Sequence, residues 1–151
     1  MQNKHVDKKA IWAWCLYDFA NSPFTTLVVT FIYANFFTQY FFESGNEGTV
    51  YWSRAITISS IFIALLSPIL GTIADRGGYR KRFLFFFTVV AIAGSGVLAL
   101  ISPDHMLLAM VTFIIANIAY EMGCVFYNAF LPDIAPPNQI GRISGYGWGL
   151  G

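Results

Sequence analysis

Two carboxylates stand inside otherwise apolar stretches of this sequence, at Asp18 and at Glu121. A charged side chain near the centre of a membrane-spanning helix costs about 2.5–3.5 kcal/mol on insertion scales, so each acid needs an explanation. A carboxylate removed from water favours its neutral form, so either group could take up and release a proton near physiological pH. The chemistry they suggest is proton coupling or binding of a cationic group. The alternative is that each acid only hydrogen-bonds a neighbouring helix.

Further polar residues share a helical face with each acid. Side chains three, four or seven positions apart lie on the same side of an α-helix. The two stripes are Asp18, Asn21 and Thr25, and Asn117, Glu121, Cys124 and Asn128. A polar stripe on an apolar helix is expected where the helix faces a water-filled cavity. The candidate substrate or proton-coupling residues are therefore Asp18, Asn21, Asn117, Glu121 and Asn128.

The composition indicates what kind of element carries these residues. Hydrophobic residues make up 56% of the chain and charged residues 11%, against about 25% charged in ordinary globular proteins. The net charge of +1 leaves no basic face for nucleic acid. Cys15 and Cys124 lie in apolar stretches and the two histidines are isolated. We therefore expect neither a metal site nor a cofactor, and we expect the cysteines to be small buried apolar groups.

Four segments are long and apolar enough for membrane-spanning helices, which need about 20 residues each. They cover residues 11–42, 55–73, 83–101 and 106–130, and a fifth begins at 143 and reaches 151. Residues 43–51 and the Ser102-Pro103-Asp104 turn carry loop signals, and Pro132 and Pro136-Pro137 end the fourth segment. The predicted fold class is all-α, a polytopic membrane helix bundle.

The basic residues predict an orientation. If the N-terminus is cytoplasmic, eight of the nine Lys and Arg residues fall on the cytoplasmic side, and Arg54 is the exception. The eight are Lys4, Lys8, Lys9, Arg76, Arg80, Lys81, Arg82 and Arg142. Cytoplasmic loops of membrane proteins carry such an excess. We therefore predict a cytoplasmic N-terminus.

Small residues and prolines inside the spans predict how the helices pack and bend. Small side chains let membrane helices approach closely. The candidates are Ser67 with Gly71, the group Ala91, Ala93, Gly94 and Gly96, the strip Gly141, Gly145 and Gly149, and the pair Gly147 and Gly151. A phosphate-binding glycine loop is the competing interpretation of the last two, but it lacks a following Lys-Ser/Thr pair and a preceding strand. Pro23 and Pro68 each free a carbonyl one turn earlier, which indicates either a kink or a gating hinge.

One segment resembles a known family signature. Residues 71–82 read Gly71-Thr-Ile-Ala-Asp75-Arg76-Gly-Gly78-Tyr79-Arg80-Lys81-Arg82. This resembles the GxLxDRxGRR pattern between the second and third helices of the major facilitator superfamily, with Gly71, Asp75, Arg76, Gly78 and Arg80 matching and Tyr79 departing from it. The resemblance implies that these five residues form a conformational-switch loop, in which Asp75 contacts the opposite helix bundle.

Three further stretches narrow the resemblance. Residues 14–22 (WCLYDFANS), 126–136 (FYNAFLPDIAP) and 141–148 (GRISGYGW) are similar to the vacuole-effluxer-like branch, which includes a fungal vacuolar amino-acid effluxer. The branch implies a six-helix N-terminal bundle whose first and fourth helices line a central cavity, followed by a second such bundle. Here the chain stops in the fifth helix, so that C-terminal bundle would be a missing partner.

The resemblance implies a function as well as a fold. The chain is expected to be the N-terminal part of a secondary active transporter that moves a small solute, amino acids among the candidates and protons as a possible co-substrate, by alternating access. The alternative is a non-transporting membrane fragment or scaffold left by truncation. An enzyme is not expected, because the spans hold no HExxH, Ser-Lys or paired-aspartate site. The expected location is a bacterial inner membrane, with the lipid bilayer as partner.

Overall fold

The computed structural model describes residues 8–42 and 45–151, and within these ranges every regular element is a helix. The elements are α1 (Lys8–Pro23), a π-helix (Phe24–Phe31), α2 (Ile32–Tyr40), α3 (Gly45–Gly77), α4 (Arg80–Leu98), a 3-10 turn (Pro103–His105), α5 (Met106–Asn128), α6 (Leu131–Ile134) and α7 (Ile140–Leu150). The predicted all-α class is confirmed. Lys4, Glu43 and Ser44, which entered the predictions of orientation and loops, lie outside the described residues.

Three stretches of helix are long and apolar enough to cross a membrane, within the part of the chain that is described. They are Asn46–Gly77, Arg80–Leu98 and Pro103–Ile134. These stretches contain the second and fourth predicted spans, 55–73 and 106–130. They contain most of the third, which was predicted to reach Ile101, whereas α4 ends at Leu98. Large apolar side chains cover their outer surfaces, among them Phe85, 72% exposed, and Leu107, 68% exposed. Such a surface suits contact with hydrocarbon rather than water.

The first predicted span is one continuous helical run divided into three pieces of 16, 8 and 9 residues. The division begins at Pro23, which lacks the N–H that would bond the Phe19 carbonyl and whose ring crowds it. The chain continues with wider π-type turns, shown by the bond from the Ile32 N–H to the Leu27 carbonyl. Eight residues of π-helix are unusual, because most π-helix in proteins is a single-turn bulge, frequently at a functional site.

This helical run passes from one end of the bundle to the other. At its start, the Trp14 indole N–H donates to the Tyr127 carbonyl, 3.1 Å away, near the end of α5. Towards its finish, Phe37 is fully buried with its ring centroid 5.3 Å from that of Trp52 in the first part of α3. The Trp52 ring in turn contacts Phe113, in the first half of α5. Neighbouring helices therefore alternate in direction, as a membrane bundle with short connections requires.

The helix α3 begins earlier and ends later than the predicted span of residues 55–73. It starts at Gly45, so residues 45–51 are helical and not the predicted loop. Gly48 explains this, because a side chain there would collide with the Thr38 carbonyl, and its absence lets the start of α3 pack directly on α2. At the other end Gly78 has φ +67° and the Tyr79 N–H bonds the Ala74 carbonyl at 3.1 Å. This is a Schellman C-cap, which glycine favours.

The small residues fulfil the packing prediction only in part. A Cβ placed on Gly94 would lie 2.7 Å from the Cβ of Ala116, so α4 and α5 approach closely there. Gly147 packs on the Trp14 ring, which joins α7 to α1. By contrast, no atom lies within 4 Å of a Cβ placed on Gly71, Gly96 or the strip Gly141, Gly145 and Gly149. The Gly147 and Gly151 pair is therefore the packing strip of α7.

Candidate functional site

Asp18 is half-buried where α1, α5 and α7 meet. Its Oδ2 lies 3.3 Å from the position of a Cβ on Gly151, at the end of α7. The ring of the preceding residue, Tyr17, stacks on Tyr127 of α5 with centroids 5.1 Å apart. The Tyr127 ring stacks on Trp14 at 4.4 Å between centroids, and its buried hydroxyl has no hydrogen-bond partner among the described residues. The junction therefore joins a carboxylate to a buried polar group that is left unsatisfied.

Glu121 is half-buried on α5. Its carboxylate forms no hydrogen bond or ion pair with any residue in 8–42 or 45–151. Cys124 lies three positions further along α5 and so shares the helix face of Glu121. The Cys124 thiol is therefore a neighbour of Glu121 on this face.

The polar stripe of the first helical run faces α5. The Asn21 amide donates to the Cys124 sulfur at 3.4 Å, and Thr25 donates to the Tyr120 hydroxyl at 2.6 Å. Phe24 stacks on the Tyr120 ring with centroids 4.7 Å apart. The first two residues of the π-helix, Phe24 and Thr25, therefore both contact Tyr120.

A cleft of about 410 Å³ opens beside these contacts, between the first helical run, α4 and α5. Its lining is mostly apolar, with Asn21, Tyr120, Thr88 and Ser95 among the polar groups. Tyr17 and Thr88 close one wall through a hydrogen bond of 2.7 Å between their hydroxyl groups. The cleft is lined by Asn21 from the first stripe, whereas Glu121 does not line it.

The structure separates the two remaining members of the α5 stripe from the acids. Asn117 is buried and donates to the Ser59 hydroxyl at 2.8 Å, which joins α5 to α3. This contact gives Asn117 a packing role. Asn128 is exposed at the last residue of α5. Sequence reasoning did not identify Ser59 or Tyr120, because neither interrupts an apolar helix with a charge.

The predicted switch loop forms a compact charge network around Arg80. Its guanidinium Nε donates to Asp75 at 2.6 Å and its Nη1 to Asp133 at 2.8 Å. The same Nη1 also bonds the Ala129 carbonyl at 3.3 Å, where α5 ends. Unsatisfied carbonyls give the end of a helix a partial negative charge, which a cation stabilises. Arg80 therefore ties together the end of α3, the start of α4, the end of α5 and α6.

Asp133 was missed by the sequence analysis, although it follows the fourth span as an acid on the side where the basic residues cluster. Arg76 is exposed, and Gly71 meets nothing within 4 Å. The side chains of Asp75 and Asp133 are 55% and 57% exposed. Both acids therefore remain accessible to other partners.

Metal binding finds no support in the described ranges, where no group of three His, Cys, Asp or Glu side chains comes together. Cys15 is buried, Cys124 is half-buried, and both are free thiols.

Much of the chain is similar in sequence to a known protein family. Residues 49–143, more than half of the chain, match the profile of the family described as "Vacuole effluxer Atg22 like". The chain belongs to this family. The match covers the 71–82 segment, α4, α5 and the beginning of α7. Together with the apolar helices, this membership makes the chain an integral membrane protein.

Relatives of this family member occur in bacteria and fungi. An uncharacterized MFS-type transporter, YxiO, from Bacillus subtilis is 38% identical over 142 residues, which are 92% of this chain and 33% of that protein. Autophagy-related protein 22 from Yarrowia lipolytica is 34% identical over 71 residues, 47% of this chain and 12% of that protein. An uncharacterized protein from Aquifex aeolicus is 27% identical over 139 residues, 92% of this chain and 34% of that protein. The chain thus spans about a third of the length of the bacterial relatives. No solved structure matches it.

Proposed function

We propose that this chain forms the N-terminal part of a secondary transporter that moves a small solute across a membrane by alternating access. Family membership and the name of the Bacillus relative support a transporter. The observation that carries the proposal is the Glu121 carboxylate, which lies half-buried on a membrane helix with no hydrogen bond or ion pair to any described residue. An ionisable group inside a membrane helix that serves only packing is expected to have a partner.

Glu121 is the first candidate for binding the solute or a proton, and Asp18 is the second. Asn21, three positions after Asp18, bonds Cys124, three positions after Glu121, so the two polar stripes meet at this contact. Asn21 lies beside them through its bond to Cys124 and contributes an amide that can donate to a solute. Amino acids fit this arrangement, because their ammonium group suits a carboxylate. Asn117 bonds Ser59 and serves packing, and Asn128 is exposed at the last residue of α5, so neither is assigned to solute binding.

The Arg80 network serves as the conformational switch in this proposal. Arg80 holds Asp75 and Asp133 together while both acids keep more than half of their surface exposed. Exposed ion pairs contribute only about 0.2–1 kcal/mol each, so they exchange partners at little cost. A second helix bundle can therefore compete for Asp75 when the transporter changes conformation. Gly78 fixes the turn and Arg76 adds positive charge beside it.

The proposed topology has four complete crossings and the start of a fifth, with a cytoplasmic N-terminus in a bacterial inner membrane. Three crossings are the long helices α3, α4 and α5. The first is the helical run 8–40, which passes from the Tyr127 end of the bundle to the Trp52 end. Of the eight lysines and arginines that the structure describes, seven belong to segments at the Tyr127 end of the bundle, and Arg54 is the exception.

The test is a transport assay on Glu121→Gln, a substitution that removes the charge and keeps the shape. Because the bacterial relatives are about three times as long as this chain, the assay uses the whole polypeptide that contains this sequence. Radiolabelled amino acids are screened in proteoliposomes with and without an imposed pH gradient. We expect Glu121→Gln to abolish accumulation driven by the gradient. The matched control is Asp104→Asn, which removes an exposed acid from the 3-10 turn and should transport normally.

Two results would contradict the proposal. One is an unchanged rate and unchanged pH dependence in Glu121→Gln. The other is an equal loss in Glu121→Gln and Asp104→Asn, which would point to a general effect of acidic charge.

A further inference from the structure

A second, larger groove runs between α1 and α7, and neither Asp18 nor Glu121 lines it. Its volume is about 570 Å³, and most of its lining is apolar, with Ile11, Trp12, Ile143 and Leu150 contributing. The two helices run parallel, since Gly147 contacts Trp14 early in α1 and Gly151 contacts the region of Asp18 further along. One end of the groove is therefore formed by the first residues of both helices.

Positive charge is concentrated at that end. Lys8 and Arg142 both line the groove, together with Gln139, and no Asp or Glu lines it. Gln139 accepts a hydrogen bond of 3.0 Å from Arg142 and so positions the guanidinium. The two ion pairs found among the described residues involve neither cation. The groove thus has an apolar part, here called the trough, lined by Ile143 and Leu150 among others, and a basic end formed by Lys8 and Arg142.

The trough is open enough to hold an aliphatic chain. Gly145 and Gly149 line it, and a Cβ on either would meet no atom within 4 Å. From Arg142 to Leu150 the helix rises about 12 Å, at about 1.5 Å per residue. That length accommodates a large part of one fatty acyl chain. Its direction runs from the basic end of the bundle towards the middle, as an acyl chain runs from its headgroup.

We propose that this groove binds an anionic phospholipid, with the phosphate between Lys8 and Arg142 and one acyl chain along Ile143 and Leu150. Charge complementarity favours a lipid over another helix as the occupant. An apolar helix laid in the groove would bury Lys8 and Arg142 without a negative partner, which is costly. A phosphate neutralises both cations, and basic pockets between membrane helices on the cytoplasmic side bind anionic headgroups.

Native mass spectrometry of the purified protein tests the headgroup half of the proposal. The protein is titrated with phosphatidylglycerol or with the zwitterionic phosphatidylcholine of the same acyl chains. We expect the double variant Lys8→Gln/Arg142→Gln to bind phosphatidylglycerol about 25-fold more weakly, since each cation near a membrane surface contributes about fivefold. Its affinity for phosphatidylcholine should not change. The control, Arg54→Gln/Arg82→Gln, removes two cations outside the groove and should bind as the original protein does.

A second variant tests the acyl half without altering charge. Gly149→Leu places an apolar side chain in the trough, whereas Gly96→Leu places the same side chain in open space on α4. We expect Gly149→Leu alone to weaken binding of phosphatidylglycerol at least tenfold, with thermal stability preserved in both variants. Equal binding of the two lipids, or unchanged binding in either groove variant, would overturn the proposal. So would the absence of retained lipid because another part of the polypeptide fills the groove.

Discussion

The contact between Gly94 and Ala116 gives a sharp test of how the central helices pack. Gly94→Ala would place two Cβ atoms 2.7 Å apart, whereas carbon atoms in contact are normally about 3.5–4.0 Å apart. The helices α4 and α5 would have to separate locally. Overpacking of this kind costs about 1–3 kcal/mol. Ala116 is fully buried, so its side chain has no room to move away.

The matched control is Gly96→Ala, two residues further along the same helix. No atom lies within 4 Å of the added methyl group there, so only the intrinsic change from glycine to alanine remains. That change favours a helix by about 1 kcal/mol in water and applies equally at both sites. The difference between the two variants therefore isolates the packing term. We expect Gly94→Ala to have a free energy of unfolding about 1–3 kcal/mol below that of Gly96→Ala.

Thermal unfolding in a mild detergent, followed by far-ultraviolet circular dichroism, measures this difference. For a chain of this size each kcal/mol corresponds to about 2–4 °C in melting temperature. Gly94→Ala should therefore melt clearly below Gly96→Ala. Melting at the same temperature, or Gly94→Ala melting higher, would refute the close approach of α4 and α5 at this point.

Two further variants test the 71–82 segment. Gly78→Ala should lower the free energy of unfolding by about 1–2 kcal/mol, because φ +67° is strained for a residue with a Cβ. An unchanged melting temperature would argue against the C-cap. A double-mutant cycle with Arg80→Gln and Asp133→Asn, measured by the free energy of unfolding, should give a coupling of about 0.2–1 kcal/mol, since the pair is partly exposed. Additive effects would show that the two side chains do not interact.

The long helices were predictable because hydropathy over about 20 residues depends on local sequence alone. The exact ends were less predictable. Residues 45–51 contain Gly45, Asn46 and Gly48, which are typical of a loop, yet they are helical because Gly48 lets α3 lie against the Thr38 carbonyl. That contact joins residues on different helices and leaves no signal in either segment by itself.

The candidate site was predictable in its charges but not in its partners. Asp18 and Glu121 stand out because a charge inside an apolar segment is costly. Helical periodicity placed Asn117 on the same face of α5 as Glu121. That face contacts two different neighbours, α3 and the first helical run, and the Asn117 amide bonds Ser59 of α3. Such a division depends on where neighbouring helices sit. The same limit applies to Asp133, whose pairing with Arg80 follows from tertiary contact.

The π-helix was not predicted either. Pro23 indicated a disturbance, and the sequence left a kink and a gating hinge as alternatives. The structure distributes the disturbance over Phe24–Phe31 and does not confine it to one turn. The Thr30 hydroxyl bonds the Thr25 carbonyl, five residues earlier and 2.9 Å away, and so follows the wider π turns. Bulky and β-branched residues follow the proline, and such residues also occur in ordinary α-helices, so the sequence of this segment does not by itself indicate a π-helix.

In the proposed topology the helical run 8–40 crosses the membrane, so that its two ends lie on opposite faces. Single cysteines at Lys9→Cys and Glu47→Cys test this crossing, with labelling by a membrane-impermeant maleimide in cells that express the protein in the inner membrane. The unaltered protein is the control, because Cys15 is buried and Cys124 half-buried. We predict labelling of Glu47→Cys before cell rupture and of Lys9→Cys only afterwards. Equal labelling of both positions before rupture would contradict the claim.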